Sequence, residues 1–295
     1  MNPKALPAYL AERFPPINMA LFAILFITVH AVAAYYSGGA VAAGIGWMEV
    51  FGIIATISFF FRLRVFDEIK DYQLDAINHP HRVLQSGRIS LRELMLISLA
   101  GTALEIAWSL MMGLPALLCW LLAVGYSLLM RYEFFVGHFL KKRLLLYAIT
   151  HMLVMPLLIL WVWWAYVPAY REGLLLLALL SLLAGFSFEL ARKIHEPAAE
   201  RPLVDSYSKS MGYTASIITV LIVLLGGVLV QTYLLNTLQA PLWPYLLILG
   251  LYWATFALYG YTLRKPKEKR LRIAEKLVSL FMLGSYLSII IVVIL

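Results

Sequence analysis

The chain has 295 residues, 62% of them hydrophobic and only 14% charged, with a mean hydropathy of +0.84, whereas globular domains run at about 45–50% apolar and about 25% charged. So few charges cannot clothe a water-facing surface, which excludes a soluble domain and makes lipid the solvent for most of the chain. One cysteine, Cys119, excludes a disulfide framework and any multi-cysteine zinc or iron–sulfur site, and the formal charge of +8 takes its meaning from where it lies.

Apolar runs long enough to span a bilayer recur at 17–37, 43–65, 92–112, 115–131, 144–166, 173–190, 213–235, 243–263 and 274–295. They predict nine transmembrane helices. The first run is too long for the apolar core of a signal peptide, and the same texture continues to the end, so no cleaved leader is expected. Ser37-Gly38-Gly39, Gly113-Leu114-Pro115, Pro168 and Gln239-Ala240-Pro241 punctuate one set of connections, with Trp161, Trp163, Trp164, Tyr166, Trp243 and Tyr245 at expected interfaces. The alternate connections are longer and basic: of 24 Lys and Arg residues, only Arg171 falls outside them. Cationic loops face the cytoplasm, so the N-terminus is expected inside and Leu295 outside, and the +8 reads as topology rather than as a nucleic-acid surface. No repeat and no long linker divides the chain, which reads as one intramembrane domain over 1–295.

Three of the four aspartates, Asp67, Asp71 and Asp75, follow the second run at i, i+4 and i+8, with Glu68 beside the first. That spacing sets the three on one helical face, where like charges repel and call for a compensating cation. Carboxylate oxygens without His or Cys partners suit Mg²⁺ bridging to a phosphate. A solvated acidic patch balanced by Lys70, Arg62 and Arg64 is the other reading. A second group follows the sixth run: Glu189, Arg192, Lys193 and Glu196, then Glu200 and Asp205. Arg82, Arg88, Lys142, Arg143, Lys193 and Lys209 interleave with the two groups, which together describe a site for a metal-bound polyphosphate.

The stretch 67–90 then specifies a comparison. Asp67-Glu68-x-x-Asp71-x-x-x-Asp75, followed by Asn78-His79-Pro80-His81-Arg82-Val83-Leu84-Gln85-Ser86-Gly87-Arg88-Ile89-Ser90, resembles the first motif of the UbiA superfamily of intramembrane prenyltransferases and the basic stretch after it. The resemblance extends to the nine helices, to Lys142-Arg143 before the fifth, and to acids after the sixth. It implies an all-α membrane fold around a central chamber with helical caps on the cytoplasmic side. Its activity would be Mg²⁺-dependent ionisation of an isoprenyl diphosphate and transfer of the prenyl group to a lipophilic or aromatic acceptor. It further implies Asp71, Asp75 and Glu189 as catalytic residues, and Asp67, Glu68, Asp71, Asp75, Glu189 and Glu196 as metal ligands. Diphosphate contacts would come from Arg82, Arg88, Lys142, Arg143, Arg192, Lys193 and Lys209. A bacterial inner membrane is the expected location, with membrane lipids as partners and no nucleic acid.

The second motif departs from the family pattern, for Arg192 stands where a middle acid is usual. An arginine cannot bind metal. It can clamp the diphosphate directly, Glu200 or Asp205 can restore the missing ligand, or catalysis is lost. A prenyl cation also needs π-faces, and 8 Trp, 17 Tyr and 15 Phe supply more rings than one chamber could use. Glu105 reads either as a group facing the chamber or as a hydrogen-bonded packing residue, while His30 and His151 read as packing histidines. Two rival functions stay open: a terpene cyclase of the same superfamily, and a non-catalytic lipid-binding or transport protein.

Overall fold

A computed structural model of the protein describes residues 4–42, 44–200 and 205–294, and no strand occurs among them. A short helix α1 (Ala5–Arg13) precedes α2 (Pro16–Tyr36), α3 (Trp47–Asn78), α4 (Leu91–Met112) and α5 (Leu114–Arg131). Then follow α6 (Gly137–Lys141), α7 (Leu144–Met152), α8 (Val154–Tyr166), α9 (Glu172–Arg192), α10 (Tyr207–Met211), α11 (Tyr213–Thr237), α12 (Leu242–Arg264) and α13 (Glu268–Ile294). Each long helix packs against the next, and α13 returns onto α2, so the bundle closes into a ring.

Among the described residues eight helical stretches are long and apolar enough to cross a membrane, with α7 and α8 together forming one of them. The nine crossings expected from the sequence are thus matched by composition in eight. The remaining rod, α3, packs between α2 and α4 but carries Glu49, Arg62 and Arg64 within its apolar part. The outer surface bears out lipid as the solvent: Leu118, Leu121 and Leu122 of α5, Leu225 and Leu229 of α11, and Leu246 and Trp253 of α12 all lie exposed. On a water-facing protein such faces would mark aggregation sites.

Local chemistry sets the element ends. Gly113 turns the chain from α4 into α5 with φ of 111°, a conformation a Cβ would oppose. At the start of α4 the Glu93 amide donates to Ser90 Oγ (3.2 Å) while the Ser90 amide donates to Glu93 Oε2 (2.8 Å), a capping box closing both orphan donors. The run 144–166, expected as one helix, is interrupted at Leu153. Pro156, in the first turn of α8, has no amide hydrogen for the Met152 carbonyl, and its ring crowds that carbonyl. Conversely, α3 runs on for 32 residues, far past its apolar stretch, and stops where Pro80 follows His79.

The interior at one end is solid. Trp108, Trp161, Trp163, Phe26 and Phe59 are fully buried, with Trp108 and Trp161 edge-to-face at 5.3 Å between centroids. Trp161 Nε1 donates to Ser109 Oγ (3.0 Å) and Trp108 Nε1 to the Met48 carbonyl (3.0 Å), satisfying both indoles. Beside this core a buried ion pair joins α3 to α4: Arg62 Nη1 lies 2.6 Å from Glu105 Oε2, which also accepts from Trp120 Nε1 at 2.8 Å. Glu105 is therefore the hydrogen-bonded packing residue of the two readings.

Candidate active site

The other end of the ring opens into a cavity of about 800 Å³. Its mouth is charged and its depth apolar. Phe60 and Leu63 of α3, Ser127 and Met130 of α5, and Ala148, Met152, Val154 and Met155 of α7 and α8 line the deeper part. Asp67, Asp71 and Asp75 descend one face of α3 into the mouth, and Glu189, Arg192 and Lys193 meet them from the end of α9. The helical spacing anticipated for the aspartates is thus what aligns them, because α3 stays regular through Asn78.

The carboxylates differ in their partners. Asp75 accepts from Arg82 Nη1 (2.7 Å) and, more weakly, from Arg13 Nη2 (3.5 Å). Asp67, the most exposed of the three, is only 3.5 Å from Lys70 Nζ. Lys70 donates instead to the Tyr147 hydroxyl at 2.8 Å. Burial works to lower the Lys70 pKa, but the Asp67 carboxylate and the Tyr147 hydroxyl overcome this and hold it above the ordinary lysine value. Asp71 has no hydrogen bond or ion pair among the described residues. Burial raises its pKa above the usual aspartate value, with Asp67 and Asp75 adding to the rise and Lys70 opposing it.

On the facing side Glu189 is saturated. Arg192 Nε and Nη2 both lie 2.6 Å from its Oε2, and Lys193 Nζ lies 2.7 Å from its Oε1. No three Asp, Glu, His or Cys side chains already converge on one point among the described residues. Asp67 and Asp71 are nevertheless a hard-oxygen pair on adjacent turns, one exposed and loosely held, the other unpartnered, which fits a divalent cation that keeps several waters.

Of the residues singled out in the sequence, Asp67, Asp71, Asp75, Arg82, Glu189, Arg192 and Lys193 line this cavity, and Asp205 joins them at its rim. Six others lie elsewhere. Glu68, only 1% exposed, does not line the cavity although it stands near the Asp75 face of α3: Arg13 Nε (2.7 Å), Arg64 Nη2 (2.6 Å) and the Tyr9 hydroxyl (3.4 Å) reach its Oε1 and fasten α1 to the bundle. Glu196 exchanges hydrogen bonds with Glu268, its Oε2 accepting from the Glu268 amide at 2.6 Å and its amide donating to Glu268 Oε2 at 2.9 Å. Arg143 stacks on Phe139 at 3.9 Å, Lys142 and Arg88 are exposed away from the cavity, and Lys209 pairs with Glu200.

The cavity also recruits Arg13, Arg64, Lys70, Arg131, Lys141, Glu133 and Tyr147, none of which the sequence marked as site residues. Lys70 carried a signal, since i+3 from Asp67 places it on the same face. Arg13 carried none, for its partners lie more than fifty residues away. Of the aromatic residues only Phe60, Phe66 and Tyr147 line the cavity among the described residues, so most rings serve the core and the lipid face.

Comparison with known proteins adds to this geometry. The fold is similar to a solved structure of digeranylgeranylglyceryl phosphate synthase, at a TM-score of 0.68 and 18% identity over 99% of both chains. It is also similar to the apo structure of a UbiA homologue from Aeropyrum pernix K1, at a TM-score of 0.68 and 17% identity over 92% of this chain and 96% of that one. A UbiA homologue from Archaeoglobus fulgidus, bound to GPP and Mg²⁺, superposes at a TM-score of 0.54 with 15% identity over 96% of this chain and 99% of that one. No curated protein sequence matches the chain significantly. A model of the UbiA prenyltransferase family matches residues 23–283, from the middle of α2 to the middle of α13 and across every element that lines the cavity except α1, and the chain therefore belongs to the UbiA prenyltransferase family.

Proposed function

We propose that the protein is a Mg²⁺-dependent intramembrane prenyltransferase that ionises an isoprenyl diphosphate and passes the prenyl group to a lipophilic or aromatic acceptor. One observation carries this reading: a single cavity joins a carboxylate row on α3, with Asp71 unpartnered in its middle, and a ring of Lys and Arg to an apolar depth lined by Phe60, Met152 and Met155. A cationic mouth suits a diphosphate head and an apolar depth suits an isoprenoid tail. The GPP and Mg²⁺ held by the Archaeoglobus fulgidus homologue support the same pairing of ligands.

In this reading Asp67 and Asp71 would hold Mg²⁺, with Asp75 joining once Arg82 turns to phosphate. Mg²⁺ when bound supplies charge neutralisation for the leaving diphosphate. Arg82, Arg192 and Lys193 would bind the remaining oxygens, and Lys70, held protonated by Asp67 and Tyr147, keeps a fixed positive charge beside them. Phe60, Phe66 and Tyr147 offer π-faces to the allylic cation, each well-placed ring being worth about 0.5–2 kcal/mol. The whole chain acts as one domain, with the basic end of the bundle in the cytoplasm, the N-terminus inside and the C-terminus outside.

The test is incubation of the purified protein with Mg²⁺ and geranyl, farnesyl or geranylgeranyl diphosphate, with and without phenolic and lipid-alcohol acceptors. Diphosphate release that needs an acceptor and disappears in Asp71→Ala and Asp75→Ala supports the transferase. A cyclic hydrocarbon formed without acceptor would reassign the protein as a cyclase. Unchanged diphosphate affinity in both variants would point to a lipid-binding or transport protein.

A further inference from the structure

The two sides of the cavity mouth are chemically unlike, and the difference bears on how many cations accompany the substrate. On the α3 side Asp71 is unpartnered and Asp67 loosely held. On the α9 side both oxygens of Glu189 are taken by fixed cations: Oε2 by Arg192 and Oε1 by Lys193, at 2.6–2.7 Å. A divalent ion approaching Glu189 would have to displace two hydrogen-bonded positive charges that belong to the adjoining residues of the same helix end. Two of the nearby acids are already engaged. Glu196 is locked to Glu268, and both oxygens of Glu200 accept from Ser206 Oγ at 2.8 and 2.9 Å. Asp205 alone among these second-side acids has no partner among the described residues, and it sits exposed at the rim.

We propose that the cavity takes one divalent cation, on the α3 carboxylates, and that Arg192 and Lys193 replace a second by holding diphosphate oxygens directly. This rests on the diphosphate reading of the cavity. Glu189 is then a positioning residue. It uses Nε and one hydrogen of Nη2 of Arg192 and one of three donors of Lys193, leaving the rest of each head free for phosphate while fixing where the heads stand. The charge balance agrees. Eight Lys and Arg line the cavity against six Asp and Glu. A diphosphate of about three negative charges with one Mg²⁺ adds net negative charge to this positive lining, whereas two Mg²⁺ would add positive charge to it.

The experiment counts bound Mn²⁺ by electron paramagnetic resonance on the full-length protein in lipid nanodiscs, with and without inorganic diphosphate, alongside the affinity for diphosphate. One Mn²⁺ per chain is expected in the wild type, lost in Asp71→Asn and retained in Glu189→Gln, Arg192→Ala and Lys193→Ala. Arg192→Ala and Lys193→Ala should each bind diphosphate about 10- to 100-fold more weakly, the scale of one lost charge-assisted contact. Arg192 is nearly half exposed, so its truncation leaves the packing intact. Two Mn²⁺ in the wild type, whether or not one is lost in Glu189→Gln, would overturn the inference, as would diphosphate affinity within twofold of wild type in both Arg192→Ala and Lys193→Ala. Retention of Mn²⁺ and diphosphate in Asp71→Asn would instead overturn the metal–diphosphate reading on which it rests.

Discussion

Replacing Glu105 by leucine strands a guanidinium inside the bundle. Glu105 is completely buried, and its carboxylate accepts from Arg62 Nη1 at 2.6 Å, Trp120 Nε1 at 2.8 Å and Ser58 Oγ at 3.1 Å. Arg62 is 4% exposed, and its Nε and Nη2 already lack partners, so Thr102 Oγ1 at 3.1 Å would be its one remaining hydrogen bond. All three bonds end on an ionised carboxylate, at about 1.5–3 kcal/mol each, so their sum of roughly 4.5–9 kcal/mol is an upper bound. Removing one partner of a buried pair costs about 3–5 kcal/mol, which is the loss expected here. The double variant Arg62→Met/Glu105→Leu removes both charges and should recover at least about 2 kcal/mol of that loss. Equilibrium unfolding in mixed micelles of rising dodecyl sulfate content, followed by tryptophan fluorescence, measures both. A cost below about 1 kcal/mol for Glu105→Leu, or strict additivity in the double variant, would refute the account of this pair.

Glu68→Gln should loosen α1 and release the cavity-lining Arg13 and Arg64: about 2–3 kcal/mol less stable, with faster amide exchange over residues 5–13 and Mn²⁺ binding retained. Loss of Mn²⁺ binding in that variant would show Glu68 to be a ligand after all. In metal-free protein the raised pKa of Asp71 means that the folded state binds more protons than the unfolded chain between the ordinary aspartate value and the raised one. The stability this contributes is complete below the unfolded value and is lost as pH rises through the folded one. Asp71→Asn should flatten that decline, which acid-to-neutral unfolding series on the two proteins would reveal as a difference in slope, and equal slopes would count against it. Ser90→Ala removes the cap of α4 and should cost about 1 kcal/mol, read as a few degrees in Tm with diphosphate affinity unchanged.

Where the sequence was informative, the reason was local periodicity. The aspartate row on α3 needed only a regular helix through residue 75, and the stop at Pro80 lay in plain view. What stayed hidden depended on distant partners. Glu68 stands seven residues from Asp75, on nearly the same helical face, so periodicity alone leaves it beside the cavity, and what takes it out is Arg13, 55 positions earlier in the chain. Glu196 is likewise removed from the cavity by Glu268, 72 positions later, and no spacing rule reaches that far. The interruption at Leu153 had its cause in the sequence, at Pro156, but the uninterrupted hydropathy of 144–166 masks a break that leaves composition unchanged.

The length of α3 has one more consequence. From Trp47 to Asp67 it covers about 30 Å at about 1.5 Å per residue, the thickness of the hydrocarbon layer, so the carboxylates begin where the oil ends. In the reaction proposed above, a diphosphate freed at that height would step into water while the prenylated product would leave toward the lipid below. The two would part by different routes, and neither would have to cross the phase that rejects it.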